Sequence, residues 1–155
     1  RSYRYSKENN FPIRPFDTVL QYQITYNDNC HLSAYRDQYE YTGGAHGNTV
    51  RMSDTWSLFT GRTLPLRAFV EAPDYRRFLL EEIMRIADEN YSRDEHIYFD
   101  NYRELIVRYF NRKSYYLKPD GLVIFYGQYE IAPYSTGIVE FLIPYGSGVR
   151  EPMCI

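Results

Sequence analysis

Asp17-Thr18-Val19-Leu20-Gln21-Tyr22-Gln23-Ile24-Thr25-Tyr26 is the stretch that decides the fold. Val19, Gln21, Gln23 and Thr25 share one parity, and Leu20, Tyr22, Ile24 and Tyr26 the other. The apolar set therefore falls largely on one face of an extended strand. Asn27-Asp28-Asn29 follows and reads as a turn, because Asn and Asp tolerate left-handed backbone and bond their own main chain. A second strand is expected over about 31–41, broken by Gly43-Gly44-Ala45-His46-Gly47. A third is expected over about 49–59, and Thr60-Gly61-Arg62 turns the chain into a short piece at 63–66. The first half thus reads as an antiparallel β-meander.

Downstream the period changes. From Pro73 or Asp74, the residues Tyr75, Phe78, Leu79, Ile83, Ile86 and Ala87 recur at three- and four-residue intervals, the spacing of one helix face. A second helix carries Tyr102, Leu105, Ile106, Tyr109 and Phe110 on one stripe, with Asn101 and Glu104 spaced as a capping box. Segments 114–118 and 122–128 then flank Pro119-Asp120-Gly121, expected to form a hairpin with Gly121 left-handed at a bulge. A final strand is expected over 137–145. Near-continuous apolar runs in the late strands predict central strands covered on both faces. Strands, two helices, then strands again give an α+β class, with the two helices packed on an antiparallel sheet. Residues 1–15 read as an extended lead-in, 16–145 as a single domain and 146–155 as a mobile tail.

At 155 residues the chain is long enough to bury a core without metal or disulfide support. Its 18 Lys+Arg against 20 Asp+Glu argue against a nucleic-acid partner, which usually leaves a domain strongly basic. No apolar run approaches a membrane span. Nine acids against four arginines between residues 71 and 100 read first as a solvated helix face. The chain opens on Arg1, from which an upstream targeting segment is expected. Cys30 and Cys154, one near each end, match no zinc or redox spacing. The apparent mobility of the tail favours two free thiols over a bridge. No cofactor or metal is expected.

Most signatures of catalysis fail: there is no Gly-rich phosphate loop, no GxSxG elbow and no HExxH. Paired carboxylates for glycoside hydrolysis stay open, because their separation is a three-dimensional quantity. Two clusters stand out instead. Tyr41-Thr42-Gly43-Gly44-Ala45-His46-Gly47-Asn48 holds one large imidazole among small residues. It suits a backbone-amide nest, an acid–base or ligand role for His46, or simply a bulged corner with a satisfied histidine. Phe125-Tyr126-Gly127-Gln128-Tyr129-Glu130-Ile131-Ala132-Pro133-Tyr134 leaves a strand into a proline-limited loop rich in phenols. Such a loop either presents aromatic anchors or packs them over the rim of the core. The candidate binding residues are Tyr41, Thr42, Gly43, Gly44, His46, Asn48, Tyr126, Tyr129, Glu130 and Tyr134. Tyrosine itself is abundant, 18 residues in all, which suits half-buried sheet surfaces as well as binding faces.

At these clusters the sequence resembles a known family. Tyr39-x-Tyr41-Thr42-Gly43-Gly44-Ala45-His46-Gly47 is followed by Gly61-Arg62-x-Leu64-x-Leu66, then by Leu117-x-Pro119-Asp120-Gly121-Leu122. Tyr129-Glu130-Ile131-Ala132-Pro133-Tyr134 and Glu140-Phe141-x-Ile143-Pro144-Tyr145 complete the series. In this order they resemble the RsiV/PdaC-type extracytoplasmic domain of bacteria, over roughly residues 18–145. The resemblance implies a sheet-plus-helices fold outside the cytoplasmic membrane, behind a transmembrane or lipoprotein anchor. One branch of that family senses lysozyme as part of anti-sigma factors, and another accompanies a peptidoglycan deacetylase domain. Residues and resemblance together predict a non-catalytic envelope domain that binds a cell-wall glycan or an envelope protein such as lysozyme. The alternative is a hydrolase acting on peptidoglycan or another polysaccharide through His46 and a carboxylate such as Asp54 or Glu130.

Overall fold

A computed structural model describes residues 2–13, 16–146 and 148–154. The strand–helix–strand order holds, and the sheet divides in two. Strands β1 (Asp17–Asp28), β2 (His31–Tyr41) and β3 (Asn48–Ser57) form one antiparallel sheet in that order. Strands β4 (Tyr115–Lys118), β5 (Gly121–Tyr126) and β6 (Val139–Pro144) form the second, with β5 central. Between them run helices α2 (Tyr75–Arg93) and α3 (Tyr102–Tyr109). The expected extended lead-in is instead partly helical, as α1 (Ser2–Glu8).

β5 explains the layering. Leu122, Ile124 and Tyr126 point into the core shared with Leu79, Ile83 and Ile106 of the helices. Val123 and Phe125, of opposite parity, pack with Tyr116 and with Tyr35 of β2. The second sheet is therefore covered by helices on one face and by the first sheet on the other, which is why β5 is buried at every position. Buried hydroxyls join the layers: Ser33 Oγ and Thr55 Oγ1 lie 2.7 Å apart, and the outer backbone N–H of Leu117 donates to Ser33 Oγ at 2.9 Å. That contact satisfies a donor on the unpaired edge of β4.

Local chemistry departs from expectation in several places. The β1–β2 turn is Asn29-Cys30, both left-handed (φ 47° and 58°), one residue beyond the expected turn cluster. Gly121 is not left-handed; a Cβ there would come within 2.4 Å of the Ile143 carbonyl oxygen, so glycine serves the close approach of β6. The expected piece at 63–66 is a single bridge from Thr63 to Trp56, followed by a 3-10 turn over Leu66–Phe69. Asp74 caps α2 by accepting from the Arg77 N–H, whereas Asn101 caps α3 without a side-chain bond, so the expected capping box is not made.

The C-terminal segment is ordered. Val149 bridges Val70 and is 2% exposed, Glu71 N–H donates to Gly148 O, and Arg150 N–H donates to Phe69 O. These bonds deliver Cys154 to the β1–β2 turn, where it forms a disulfide with Cys30. The expectation of free thiols is thus corrected; its error was to read a glycine-bearing tail as mobile.

The apolar parity of β1 is not buried. Leu20, Tyr22 and Ile24 lie on the outer face of the first sheet beside Val50 and Met52 of β3, all exposed. The opposite face meets the second sheet, and only Tyr26, beyond a register shift after Ile24, turns inward. Replacing Ile24 by Ser is accordingly expected to change the unfolding free energy by less than about 0.5 kcal/mol in urea titrations. A loss above about 2 kcal/mol would show that a second surface covers this face in solution.

Candidate functional site

The two clusters noted in the sequence meet in space. After β2 the chain turns through Gly43 (φ 90°) and returns at Gly47, which lies against the Tyr39 ring. A Cβ on Gly47 would fall 2.2 Å from that ring, so a larger residue there would push the Tyr39 ring aside. The turn leaves His46 exposed, with its ring stacked on Tyr134 at 3.9 Å between centroids and 19° between planes. Its Nδ1 lies 3.1 Å from Gly47 O and its Nε2 lies 3.0 Å from Tyr129 Oη. A carbonyl only accepts, so in the neutral ring Nδ1 carries the hydrogen and Nε2 accepts from the Tyr129 hydroxyl.

The opposing loop is fixed from three directions. Gln128 Oε1 accepts from Thr49 N–H of β3 at 2.8 Å. Ile131 O accepts from Phe99 N–H at 3.0 Å, tying the loop to the α2–α3 connection. Glu130 folds back, its carboxylate accepting from Gly127 N–H at 2.7 Å. This staple accompanies a left-handed Tyr129 (φ 64°), an uncommon state for a bulky residue. The Tyr129 ring is 48% exposed and lies 5.6 Å from Tyr134. The result is a preformed, solvent-facing surface of two phenols and one imidazole.

The other expected residues divide. Tyr41, Thr42, Gly43, Gly44 and Asn48 frame the corner at the ends of β2 and β3. Glu130 is a loop staple. Tyr126 is corrected: it is 1% exposed, and its hydroxyl donates to Ile106 O inside the core, where burial raises its pKa. Asp54 lies six residues along β3 from Asn48, about 20 Å at strand rise, far from His46. His31 Nδ1 sits on Asn29 O, and its ring meets Phe69 edge-on.

Two features escaped the sequence. Arg51 bridges the sheets, bidentate to Asp37 and paired with Glu140. A cleft of about 860 Å³ opens beside Asp54, at the other end of β3 from His46. Arg112-Lys113 was the only local hint of it, and adjacent cations alone carry little information.

A family model described as a protein of unknown function, DUF3298, matches residues 69–146, half of the chain. A model described as Deacetylase PdaC matches residues 1–49. His46 therefore comes from one matched segment, and Tyr129 and Tyr134 from the other. Among solved structures, a DUF3298 family member from Bacteroides fragilis is similar, with TM-score 0.71 and 23% identity over 97% of this chain. This chain spans 61% of that one. A DUF3298 family protein from Pseudomonas aeruginosa gives TM-score 0.65 and 22% identity, over 96% of this chain and 68% of that one. At these identities the likeness is one of fold. No characterised protein in the curated collections matches.

Proposed function

The chain belongs to the DUF3298 family, and from that premise we propose that it is a non-catalytic binding domain of the bacterial envelope whose His46–Tyr129–Tyr134 surface recognises a cell-wall glycan. The observation that carries this is the convergence of two sequence-distant loops on one exposed, hydrogen-bonded aromatic face. Rigid phenols with an apolar face and a polar tip suit sugar rings, which combine apolar C–H faces with hydroxyls. The disulfide supports an extracytoplasmic setting, where such bonds form and persist.

A second reading is an RsiV-like sensor of lysozyme. It draws on the acidic stretch at 71–100, where Arg77, Arg85 and Arg93 pair with Glu81, Glu82 and Glu89. Six acids against one arginine remain in that stretch outside these pairs, so it keeps a net negative field that a cationic protein would meet. As for hydrolysis, His46 bonds a phenol and a carbonyl, and Glu130 is engaged by its own loop.

Calorimetry with soluble peptidoglycan fragments and, separately, with lysozyme tests the proposal. Tyr129→Ala and His46→Ala are each expected to weaken glycan binding about tenfold, roughly 1.4 kcal/mol, with melting near wild type. Glycan affinity indifferent to both substitutions would refute the surface. Binding to lysozyme alone would move the chain to the sensor reading.

A further inference from the structure

We propose that the cleft beside β3 is a second binding site, separate from the His46 surface, for a hydroxyl-bearing ligand that carries a carboxylate or phosphate group. The cleft lies between β3, the segment leading into Leu66–Phe69, the start of α2 and the Arg112–Lys113 turn. Three cations line it, Arg67, Arg112 and Lys113, against one carboxylate, Asp54.

Arg51, Arg77, Arg85, Arg93, Arg103, Arg108 and Arg150 each have a carboxylate within 4.0 Å. Among the described residues, Arg67, Arg112 and Lys113 have none, and neither do Arg4, Lys7, Arg36, Arg62, Arg76 and Lys118; what distinguishes the three is that they line one cleft together. The chain has more acids than bases, so three unpaired cations around one cleft are not a by-product of excess positive charge. Drawn together from two separate segments, they favour an anion between them.

The frame that carries them is fixed. Lys113 N–H donates to Asn111 Oδ1 at 2.9 Å, and the Ser53 hydroxyl lies 2.5 Å from Tyr115 O and 3.2 Å from Lys113 O. Across the cleft, Leu64 N–H donates to Thr55 O at 2.8 Å and the Tyr115 hydroxyl to Leu64 O at 2.6 Å. The floor's own polar groups are thus satisfied internally, while the cationic heads stay available to a ligand. Asp54 and Thr63 add an acceptor and a hydroxyl on one wall, which suit the hydroxyls of a sugar or polyol.

The intact chain should be titrated with trigalacturonate, inorganic tripolyphosphate and neutral maltotriose, followed by backbone NMR shifts. At low salt, at least one anion is expected to saturate below millimolar concentration and shift amides at 53–55 and 111–113. Affinity should fall several-fold at physiological salt, and about tenfold in Arg112→Ala/Lys113→Ala. Trigalacturonate binding tighter than tripolyphosphate identifies a carboxylate ligand, and the reverse a phosphate ligand. Arg85→Ala, on the solvent side of α2, should leave binding unchanged. Silence with both anions, equal binding of maltotriose, or an equal loss in Arg85→Ala would each overturn the site. His46→Ala should retain anion binding, so this proposal and that for the His46 surface fail independently.

Discussion

Cys30→Ser/Cys154→Ser is expected to lower the unfolding free energy by about 3–4 kcal/mol, measured by urea denaturation against the oxidised chain. The bridge spans a sequence separation of 124, nearly the whole chain. In the chain-entropy model, closing so long a loop restricts the unfolded ensemble by ~4–5 kcal/mol, and measured effects generally fall somewhat below that. The folded state should change little. The tail is held independently by the Val70–Val149 bridge and by the bonds of Gly148 and Arg150 to the segment before α2. Loss of the crosslink should therefore act through the unfolded chain, with a larger urea m-value in the variant because more surface becomes accessible. A difference under about 1 kcal/mol with unchanged m-value would mean that the thiols are not bridged in solution. Thiol titration of the denatured, unreduced wild type gives an independent check, with no reactive sulfhydryl expected.

Much of the architecture was legible locally. The alternation in Asp17–Asp28, the three- and four-residue spacing from Tyr75 and the unbroken apolar run at Leu122 each report a backbone period, and the backbone follows them. Which face of a strand is covered is a different kind of information. Leu20, Tyr22 and Ile24 alternate as a buried set would, yet solvent meets them, because the second sheet packs on the face that carries Tyr35, Arg51 and Ser53. The pairing that selects that face lies between strands distant in sequence.

The candidate site shows the same division. Each cluster was visible alone, by its glycines or by its tyrosines. Their meeting was not, since His46 and Tyr129 are 83 residues apart and nothing in either loop encodes the distance between them. Tyr126 and Tyr129 look equivalent in sequence. Three positions of chain, and the end of β5 between them, send one phenol into the core and the other to solvent. The disulfide escaped for a related reason: the bonds that order the tail are backbone bonds to residues 69–71, invisible in side-chain composition.

Arg51→Ala should be the most damaging single substitution at the sheet–sheet contact, costing about 2–4 kcal/mol. The guanidinium is held by Asp37 through two bonds, at 2.8 Å from Nε and 2.7 Å from Nη2, and pairs with Glu140 of β6. It also lies 3.7 Å above the Tyr35 ring. Burial pulls its pKa down, but the bonds and charge of Asp37, with Tyr35 and Glu140, hold it above the ordinary arginine value. Tyr116 completes the unit by donating to Glu140, and burial followed by that carboxylate raises its own pKa, keeping the phenol a donor. Removing the arginine leaves two carboxylates at a contact that excludes much of the water, and opens a gap against Tyr35. A fully buried pair broken this way costs roughly 3–5 kcal/mol; the partial exposure of Asp37 and Glu140 lowers the expectation. Arg51→Lys keeps the charge but loses the two-pronged geometry and the flat stacking surface, and should cost about 1–2 kcal/mol. The decisive comparison is Arg51→Met combined with Asp37→Asn and Glu140→Gln. If uncompensated charge dominates the loss, this triple variant recovers at least half of what Arg51→Ala forfeits. If it stays as unstable as Arg51→Ala, stacking on Tyr35 rather than ion pairing joins the two sheets.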